Sequence, residues 1–209
     1  MTAPGGRDIL TIGHSNHSAD RFAALLRDAG ITAIADVRSV PFSRWCPWFS
    51  GRALARRLPR QGIAYLAFGD ALGGRPRDPK FYCDGVVDYE AVAAAPQFRA
   101  GLDRLAEETQ HHRLCLLCRE REPLDCHRCL LVARALTDRG FKPGHILADG
   151  TVEPHAVTEQ RLLAFAGAEQ DLFRDHAARL ADAYRRRAGA VTGRAKARVT
   201  PVPKSRAKG

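Results

Sequence analysis

The sequence predicts a three-layer α/β/α domain around a mostly parallel, Rossmann-like sheet of about five strands. Short apolar runs alternate with segments whose apolar residues recur at helical spacing, and residues 8–37 form a predicted strand–helix–strand unit. The 209 residues leave room for one such domain and a tail. We expect the domain to span residues 1–165, a C-terminal helix to span 166–187, and a disordered basic tail to span 188–209.

The boundaries of the elements follow from the apolar runs and from capping residues. Ser18 is a suitable N-cap for the first helix, and Gly30 is a suitable stop for it. Residues 39–51 are too rich in proline and aromatic residues for a regular element, so they predict a loop over the sheet edge. The predicted strands are 8–12, 31–37, 63–68, 114–117 and 145–148, and the predicted helices are 18–28, 52–60, 89–94, 96–110 and 158–186, with a further helix beginning at 126.

The stretch 113–137 is the expected active or binding centre. A short apolar strand is followed there by a polar loop and by a second apolar run at helical spacing, for which Asp125 is a suitable N-cap. Ligands of parallel α/β sheets bind at the carboxyl edge of the strands, and a helix N-terminus at that edge favours an anion. The polar residues at the strand end and in the first helical turn are Cys118, Glu120, Cys126, His127 and Arg128.

Polar residues also follow the other apolar runs, and parallel strands bring such residues to one edge of the sheet. We therefore expect a single crevice with contributions from several segments. Besides the residues of the central stretch, its expected members are His14, Asp36, Arg38, Gly73 and Gly74, with His145 or Asp149 as further candidates.

The net charge of +10 is concentrated at the C-terminus. Nine of the 33 Lys and Arg residues lie in 185–209, where no acid occurs, which leaves 24 basic against 23 acidic residues in 1–184. Nonspecific nucleic-acid binding by the tail and a solvated extension without a partner both fit this charge. The first residues lack an apolar signal sequence and no apolar run is long enough to cross a bilayer, so we expect a cytoplasmic protein with reduced cysteines and no membrane partner.

Two interpretations fit the cysteines of the central stretch. At a helix N-terminus beside a histidine and an arginine, the thiol of Cys126 would have a lowered pKa and act as a nucleophile, with His127 or His14 as its base. Alternatively, Cys118 and Cys126 are small buried core residues.

Zinc binding by paired Cys-x2-Cys motifs is disfavoured for Cys115, Cys118, Cys126 and Cys129. Residues i and i+3 of a strand point to opposite faces, which separates Cys115 from Cys118, and the seven-residue spacer is shorter than usual. A site built from Cys118, Cys126 and a histidine stays open, but the sequence assigns no metal ligands, and the cofactor is unknown.

Asp36 and Arg38 either form an ion pair that braces the strand end or belong to an anion pocket. The pocket would contain Arg38, Arg44 and Arg128 as ligands of a phosphate or carboxylate, with His14 and Glu120 as acid/base groups. Four aromatic residues form either a stacking wall for a nucleobase or a hydrophobic lid over the core: Trp45, Trp48, Phe49 and Tyr82.

Short motifs follow one another between Thr11 and about Leu147: Thr-Ile-Gly-His-Ser at 11–15, Asp-Val-Arg at 36–38, Pro41, Ser43-Arg44, Phe49, Gly-Ile-Ala-Tyr at 62–65, Leu-Gly-Gly at 72–74, Phe98, Cys-Arg-Glu at 118–120, Pro123 and Cys-His-Arg at 126–128. This order resembles the bacterial and archaeal domain-of-unknown-function family 488, DUF488. No activity is established for that family, so the resemblance implies no reaction. Cys115 and Cys129 fall outside its pattern. A looser, architectural likeness is to rhodanese-like and Cys-based phosphatase domains, but here two acids and a proline separate the strand-end cysteine from the helix.

Two hypotheses follow for the function. The first is an enzyme, a hydrolase or transferase, that acts on a small anionic ligand, phosphorylated or nucleotide-like; the second is a non-catalytic nucleotide or nucleic-acid binding module that the tail tethers. The candidate catalytic residues are His14, Asp36, Cys118, Glu120, Cys126 and His127, and the candidate ligand-binding residues are Ser15, Arg38, Ser43, Arg44, Tyr65, Gly73, Gly74 and Arg128. No sequence feature indicates the oligomeric state.

Overall fold

A computed structural model describes residues 8–167 and 175–197 and confirms the three-layer α/β/α architecture. The strands are β1 (Asp8–Gly13), β2 (Ala33–Asp36), β3 (Ala64–Ala67), β4 (Tyr82–Cys83), β5 (Val86–Val87), β6 (Leu114–Cys118), β7 (Lys142–Ile146) and β8 (Val152–Pro154). The helices are α1 (Ala19–Asp28), α2 (Gly51–Arg57), α3 (Gly69–Leu72), α4 (Tyr89–Ala94), α5 (Pro96–Glu108), α6 (Arg134–Asp138), α7 (His155–Phe165) and α8 (His176–Ala197).

The main sheet has the strand order β3-β2-β6-β1-β7-β8. Its first five strands are parallel, and β8 pairs antiparallel with β7 at the edge. The carboxyl ends of β2, β6 and β1 are therefore neighbours, although long segments of chain separate these strands. The strands β4 and β5 form a separate short hairpin.

Alternate residues of the central strand β6 enter two different cores, as the period of a strand requires. Leu114 and Leu116 pack in the core that contains α5, while Cys115 and Leu117 pack in the core that contains α1 and α2. All residues of β6 are buried, so the strand is covered on both faces and shows no polar alternation.

The structure confirms the residues predicted to begin and end the first helix. The Ser18 hydroxyl accepts a hydrogen bond from the backbone N–H of Arg21 and so caps α1. Gly30 adopts a φ of 65° just after this helix, a conformation that a residue with a side chain rarely adopts. The predicted strand and helix boundaries in this region agree with the structure to within a few residues.

The helix after β6 begins one residue later than predicted. Asp125 is not its N-cap but ends a 3-10 turn, Pro123–Asp125. Cys126 has an extended backbone, and its carbonyl accepts from the N–H groups of Cys129 and Leu130, so His127 is the first helical residue. A π-helical stretch, Arg128–Ala133, then leads into α6.

Several further elements differ from the predictions. The helix α3 was not predicted, and the strand predicted at 145–148 is β7, Lys142–Ile146. The strand β8 was not predicted, and the segment predicted as a loop over 75–87 contains the hairpin of β4 and β5. The predicted helix over 158–186 is two helices, α7 and α8, and α8 continues to Ala197, so residues 188–197 are helical rather than part of a disordered tail. The rest of that predicted tail, residues 198–209, lies outside the described residues.

The helix α8 packs against the site-bearing loop. Arg187 is buried, its Nε donates to the Leu124 carbonyl at 2.9 Å, and its Nη2 pairs with the Asp125 carboxylate. None of the helices within the described ranges has the length and apolar character needed to cross a membrane.

Candidate functional site

The ends of three neighbouring strands bring the first group of candidate residues together. His14 follows β1, Cys118 ends β6 and Arg38 follows β2. The backbone N–H of His14 donates to the Cys118 carbonyl at 2.9 Å, and the N–H of Ser15 donates to the Arg119 carbonyl at 2.8 Å. These bonds extend the pairing of β1 with β6 by two residues and hold His14 beside the strand end.

A second group, which we call the sulfur cluster, consists of Cys118, Glu120, Cys126 and His127. The Cys118 Sγ lies 3.1 Å from Glu120 Oε2 and 3.5 Å from His127 Nδ1, and the Cys126 Sγ lies 3.9 Å from the same Nδ1. Both sulfurs and His127 are buried. The loop between β6 and the following helix thus folds back so that its two ends meet.

The orientation of His127 is determined by the neighbouring strand end. Its Nε2 lies 2.8 Å from the Val37 carbonyl, which only accepts, so Nε2 carries the hydrogen and Nδ1 presents a lone pair to the two sulfurs in the neutral ring. Gly74 packs on the other side of this imidazole, because a Cβ at Gly74 would lie 2.5 Å from His127 Cγ. The role of Gly74 is therefore to make room for His127.

Burial and neighbouring groups shift the pKa values of this cluster. Burial raises the pKa of Cys126 well above its ordinary value, and the neighbouring Cys118 and Glu120 raise it further. The predicted lowering of this pKa is therefore wrong, because complete burial outweighs the helix terminus and Arg128. Burial would raise the pKa of Glu120, but hydrogen bonds from Cys118 and Cys126 lower it overall. In the same way burial would lower the pKa of His127, but Cys126, Glu120 and the Val37 carbonyl raise it overall.

His14 is held as a neutral ring with one free nitrogen. Its ring stacks on Phe49 with centroids 4.5 Å apart, and its Nδ1 lies 2.9 Å from the Ser15 carbonyl. Because a carbonyl only accepts, Nδ1 carries the hydrogen and the buried Nε2, which has no hydrogen-bond partner among the described residues, presents a lone pair. Burial lowers the pKa of His14 to about 4, with the charge of Arg38 contributing in the same direction.

Asp36 positions Arg38 rather than facing a ligand. Its Oδ1 accepts from the Arg38 Nε at 2.8 Å, and its Oδ2 accepts from the Arg38 Nη2 at 2.6 Å and from the Tyr65 hydroxyl at 2.8 Å. Both carboxylate oxygens are therefore occupied. The remaining guanidinium nitrogen, Arg38 Nη1, is buried and has no hydrogen-bond partner in the part of the chain that the structure describes. Asp36 is the bracing partner of an ion pair, and Tyr65 supports that carboxylate.

Arg128 does not belong to an anion pocket, contrary to the prediction. It is fully buried, its Nη1 and Nη2 donate to the carbonyls of Glu120 and Arg121, and its Nε donates to Thr11 Oγ1 at 3.2 Å. The guanidinium thus clamps the loop that carries Glu120 onto β1. Gly13 allows this approach, since a Cβ there would lie 1.7 Å from the Glu120 carbonyl oxygen.

A cleft of about 280 Å³ opens beside His14 and is bordered by the loop over the sheet edge. Its exposed charges are Arg44 and Arg119, and the second was not among the predicted site residues. The cleft is lined by His14, Ser15, Asn16, Phe42, Ser43, Arg44, Trp45, Cys46 and Arg119. A smaller cavity of about 90 Å³ borders Arg38, Asp36 and Tyr65 on the other part of the same loop.

The aromatic residues of this loop divide between the two predicted roles. Phe49 is buried against His14 and belongs to the core, whereas Trp45 is 83% exposed and Phe42 is 65% exposed at the rim of the cleft. The Trp48 indole donates to the His17 carbonyl at 3.2 Å. Tyr82 donates to the Pro76 carbonyl at 2.7 Å and packs against the core of the α5 face.

The remaining candidates lie elsewhere or have packing roles. A Cβ at Gly73 would lie 2.3 Å from the Gly69 carbonyl oxygen, so this glycine permits close backbone packing. Ser43 Oγ accepts from the backbone N–H of Cys46 at 3.1 Å and shapes the cleft loop. The Asp149 carboxylate accepts from Thr151 in a turn, away from the cleft.

His145 lies in a second polar cluster, which we call the histidine relay. The Thr11 hydroxyl lies 2.7 Å from His145 Nδ1, His145 Nε2 lies 2.9 Å from His155 Nδ1, and His155 Nε2 lies 2.9 Å from the Tyr184 hydroxyl. That hydroxyl donates to Glu159 Oε1 at 2.9 Å. Burial lowers the pKa of both histidines, that of His155 to about 4. His145 was expected in the crevice, and the relay itself was not predicted because its members come from distant segments.

The comparison with protein-family models identifies one match. The family described as "Domain of unknown function DUF488" matches residues 18–135, which contain α1, the cleft loop and the sulfur cluster. No curated protein and no solved structure matches the chain.

Proposed function

The chain belongs to the DUF488 family, and from its site we propose that it binds a small anionic ligand, phosphorylated or nucleotide-like, and acts on it as a hydrolase or transferase. The observation that carries this proposal is the pair of buried, unpartnered atoms beside the sheet edge, Arg38 Nη1 and His14 Nε2. An unpaired buried polar atom costs about 1–3 kcal/mol, so such atoms call for a partner from outside the chain. One of the two donates and the other accepts.

This combination matches a protonated or hydroxyl-bearing anion. Arg38 would bind an anionic oxygen, and its guanidinium is already oriented by two hydrogen bonds to Asp36. His14 would accept the hydrogen of a ligand hydroxyl or of a bound water. Arg44 and Arg119 add positive charge at the rim of the cleft.

The size of the cleft limits what it encloses. A volume of about 280 Å³ beside His14, together with the smaller cavity of about 90 Å³ beside Arg38, holds a phosphoryl group and a few neighbouring atoms rather than a complete nucleotide. A base attached to that phosphate would lie outside, against the exposed faces of Phe42 and Trp45. These residues support the nucleotide-like part of the proposal.

The chemistry assigned to His14 is general base catalysis. Since its pKa is about 4, the ring is neutral across the physiological range and Nε2 is ready to take a proton. The proton would come from the attacking water in a hydrolase or from an acceptor hydroxyl in a transferase. The sulfur of Cys126 does not serve as the nucleophile in this scheme, because burial keeps it as a thiol.

Ligand binding is testable by the fluorescence of Trp45 in a Trp48→Phe background, with inorganic phosphate and adenosine 5′-monophosphate as probes. We expect saturable quenching by the nucleotide, and about tenfold weaker binding in each of Arg44→Ala and Arg119→Ala, since each removes one charge-assisted contact of about 1.5 kcal/mol. Arg27→Ala, at the exposed end of α1, is the matched control. Absence of saturable binding, or full binding by the Arg44→Ala/Arg119→Ala double variant, would refute the anion site.

A second candidate function is a module that binds a nucleotide without converting it. It is favoured by the exposure of Trp45 and Phe42, which suits base stacking and needs no catalyst. The variant His14→Gln separates the two functions, with p-nitrophenyl phosphate as a general phosphoryl substrate. The enzyme proposal expects turnover that this variant abolishes while phosphate binding persists, and a kcat/KM that falls only as the pH approaches 4. Binding without turnover in the wild-type chain supports the module instead.

A further inference from the structure

We propose that Cys118, Cys126 and His127 form a binding site for a divalent metal ion of the zinc type. The two sulfurs and the Nδ1 atom all lie within 4.8 Å of one another and are buried. Two thiolates and one imidazole are ligands that suit zinc, and three protein ligands with an open fourth position are typical of zinc sites that bind a further group.

The two sulfur–nitrogen distances fit the edges of a tetrahedral zinc site. Zinc bonds of about 2.3 Å to sulfur and about 2.0–2.1 Å to nitrogen imply sulfur–nitrogen edges of roughly 3.5 Å. The observed edges are 3.5 Å from Cys118 Sγ to His127 Nδ1 and 3.9 Å from Cys126 Sγ to the same atom.

The ring of His127 is also prepared for coordination. Zinc-binding histidines donate their second ring hydrogen to a carbonyl or carboxylate, which fixes the tautomer. The Nε2 of His127 donates to the Val37 carbonyl at 2.8 Å, and this bond directs the lone pair of Nδ1 at the sulfurs. Gly74 packs closely against the same ring, since a Cβ there would lie 2.5 Å from His127 Cγ.

Glu120 lies beside the three ligands but is not one of the group of mutually close ligand atoms, so the fourth position stays open to a further group. The Glu120 Oε2 lies 3.1 Å from the Cys118 Sγ, and the chain clamped by Arg128 holds its backbone in place. Binding would release the two thiol protons, one from each sulfur, so that two thiolates balance the charge of the ion. The metal also explains why two thiols, a carboxylate and a histidine share one buried site.

A second group of one cysteine and two histidines is less suited to bind a metal ion. Cys129, His145 and His155 also place three ligand atoms within 4.8 Å of one another. There, however, both nitrogens of each imidazole already have a hydrogen-bond partner in the chain, so coordination would break the relay. We therefore assign the ion to Cys118, Cys126 and His127 alone.

The site is testable by titrating Co²⁺ into the full chain after reduction and treatment with a chelator. We expect one Co²⁺ per chain, with the near-ultraviolet charge-transfer absorption of thiolate ligands and the visible bands of a tetrahedral ion, and displacement by Zn²⁺. In Cys118→Ser and Cys126→Ser the charge-transfer absorption should fall by about half and the affinity at least tenfold.

Two variants serve as controls, and far-ultraviolet circular dichroism checks that every variant is folded. Cys129→Ser tests the relay cluster and Cys83→Ser tests the exposed thiol, and both should bind Co²⁺ as the wild type does. The proposal fails if the wild type shows no thiolate charge transfer, if Cys118→Ser/Cys126→Ser retains it, or if Cys129→Ser loses it. Because the readout is absorption by the metal site, it does not depend on the proposed phosphate ligand.

Discussion

The sulfur cluster and the histidine relay contain the same kinds of side chains but differ in how their polar atoms are paired. The relay lies between Arg128, which can only donate a hydrogen bond, and Glu159, which can only accept one when it is ionised. The intervening hydrogen bonds can therefore all point the same way, from Arg128 to Thr11 and then through His145, His155 and Tyr184 to Glu159. No ring nitrogen is left for a ligand.

The polar atoms of the sulfur cluster and its surroundings are not all paired in this way. His127 Nδ1 faces two sulfurs, and the nearby Arg38 Nη1 and His14 Nε2 have no partner within residues 8–167 and 175–197. A buried network in which every polar group has a hydrogen-bond partner stabilises the fold, whereas one with unpaired donors and acceptors is suited to bind a ligand. Composition alone therefore does not distinguish a ligand site from a structural network, whereas the number of unpaired donors and acceptors does.

The largest expected effect comes from removing the residue that joins the two regions. Arg128→Leu leaves the carbonyls of Glu120 and Arg121 and the Thr11 hydroxyl without their donor, so we expect the free energy of unfolding to fall by about 3–5 kcal/mol. Urea denaturation measures it. Arg119, the exposed residue before Glu120, supplies the control, since Arg119→Leu should change the free energy of unfolding by no more than about 0.5 kcal/mol. A loss below about 1 kcal/mol in Arg128→Leu would mean that the clamp is not structural.

The relay should also make stability depend on pH. Unfolded His155 takes up a proton near pH 6.5, whereas the folded residue does so only near pH 4. The unfolded state therefore binds more protons in this window, and stability falls as the pH is lowered from 6.5 to 4, by about 3 kcal/mol for this one residue.

Urea denaturation of the wild type and of His155→Phe across this range measures that contribution. The variant should show a shallower decline with acidification, while His111→Gln, which changes an exposed histidine, should follow the wild type. Parallel curves for His155→Phe and the wild type would show that the relay histidines are not held neutral.

The smallest expected effect compares one hydroxyl in each region. Tyr184→Phe removes the hydroxyl that bonds both His155 Nε2 and the Glu159 carboxylate in a buried network and should cost about 1–2 kcal/mol. Tyr65→Phe removes one bond from an Asp36 carboxylate that keeps its bonds to Arg38, so we expect about 0.5 kcal/mol. Thermal denaturation of both variants gives the order, and a reversed order would contradict the distinction between closed and open networks.

Features that depend on neighbouring residues in sequence could be predicted. The cap at Ser18, the stop at Gly30 and the apolar runs of the parallel strands are local signals, and the strand order then brings His14, Cys118 and Arg38 to one edge. The strand β8 was missed because it has three residues, ends in a proline and pairs only at the sheet edge.

Features that depend on distant segments could not be predicted. The assignment of Arg128 to the pocket followed from its place near a helix N-terminus, but its partners are set by Gly13 and Thr11, which arrive from β1. The pKa of Cys126 was predicted in the wrong direction because the sequence shows its charged neighbours but not its complete burial. The pairing of His145 with His155 required the unpredicted antiparallel edge.

The π-helical stretch Arg128–Ala133 has a consequence for how this chain tolerates change. Three successive side chains around its start contact three different regions. His127 contacts the two sulfurs, Arg128 bonds to the loop of Glu120, and Cys129 packs in the core on the α5 face. A π turn holds one more residue than an α turn. Deleting a single residue within 128–133 would restore ordinary winding and swing these three side chains by roughly 100° about the helix axis. The additional residue in the π turn thus determines the orientation of these three side chains relative to the rest of the helix.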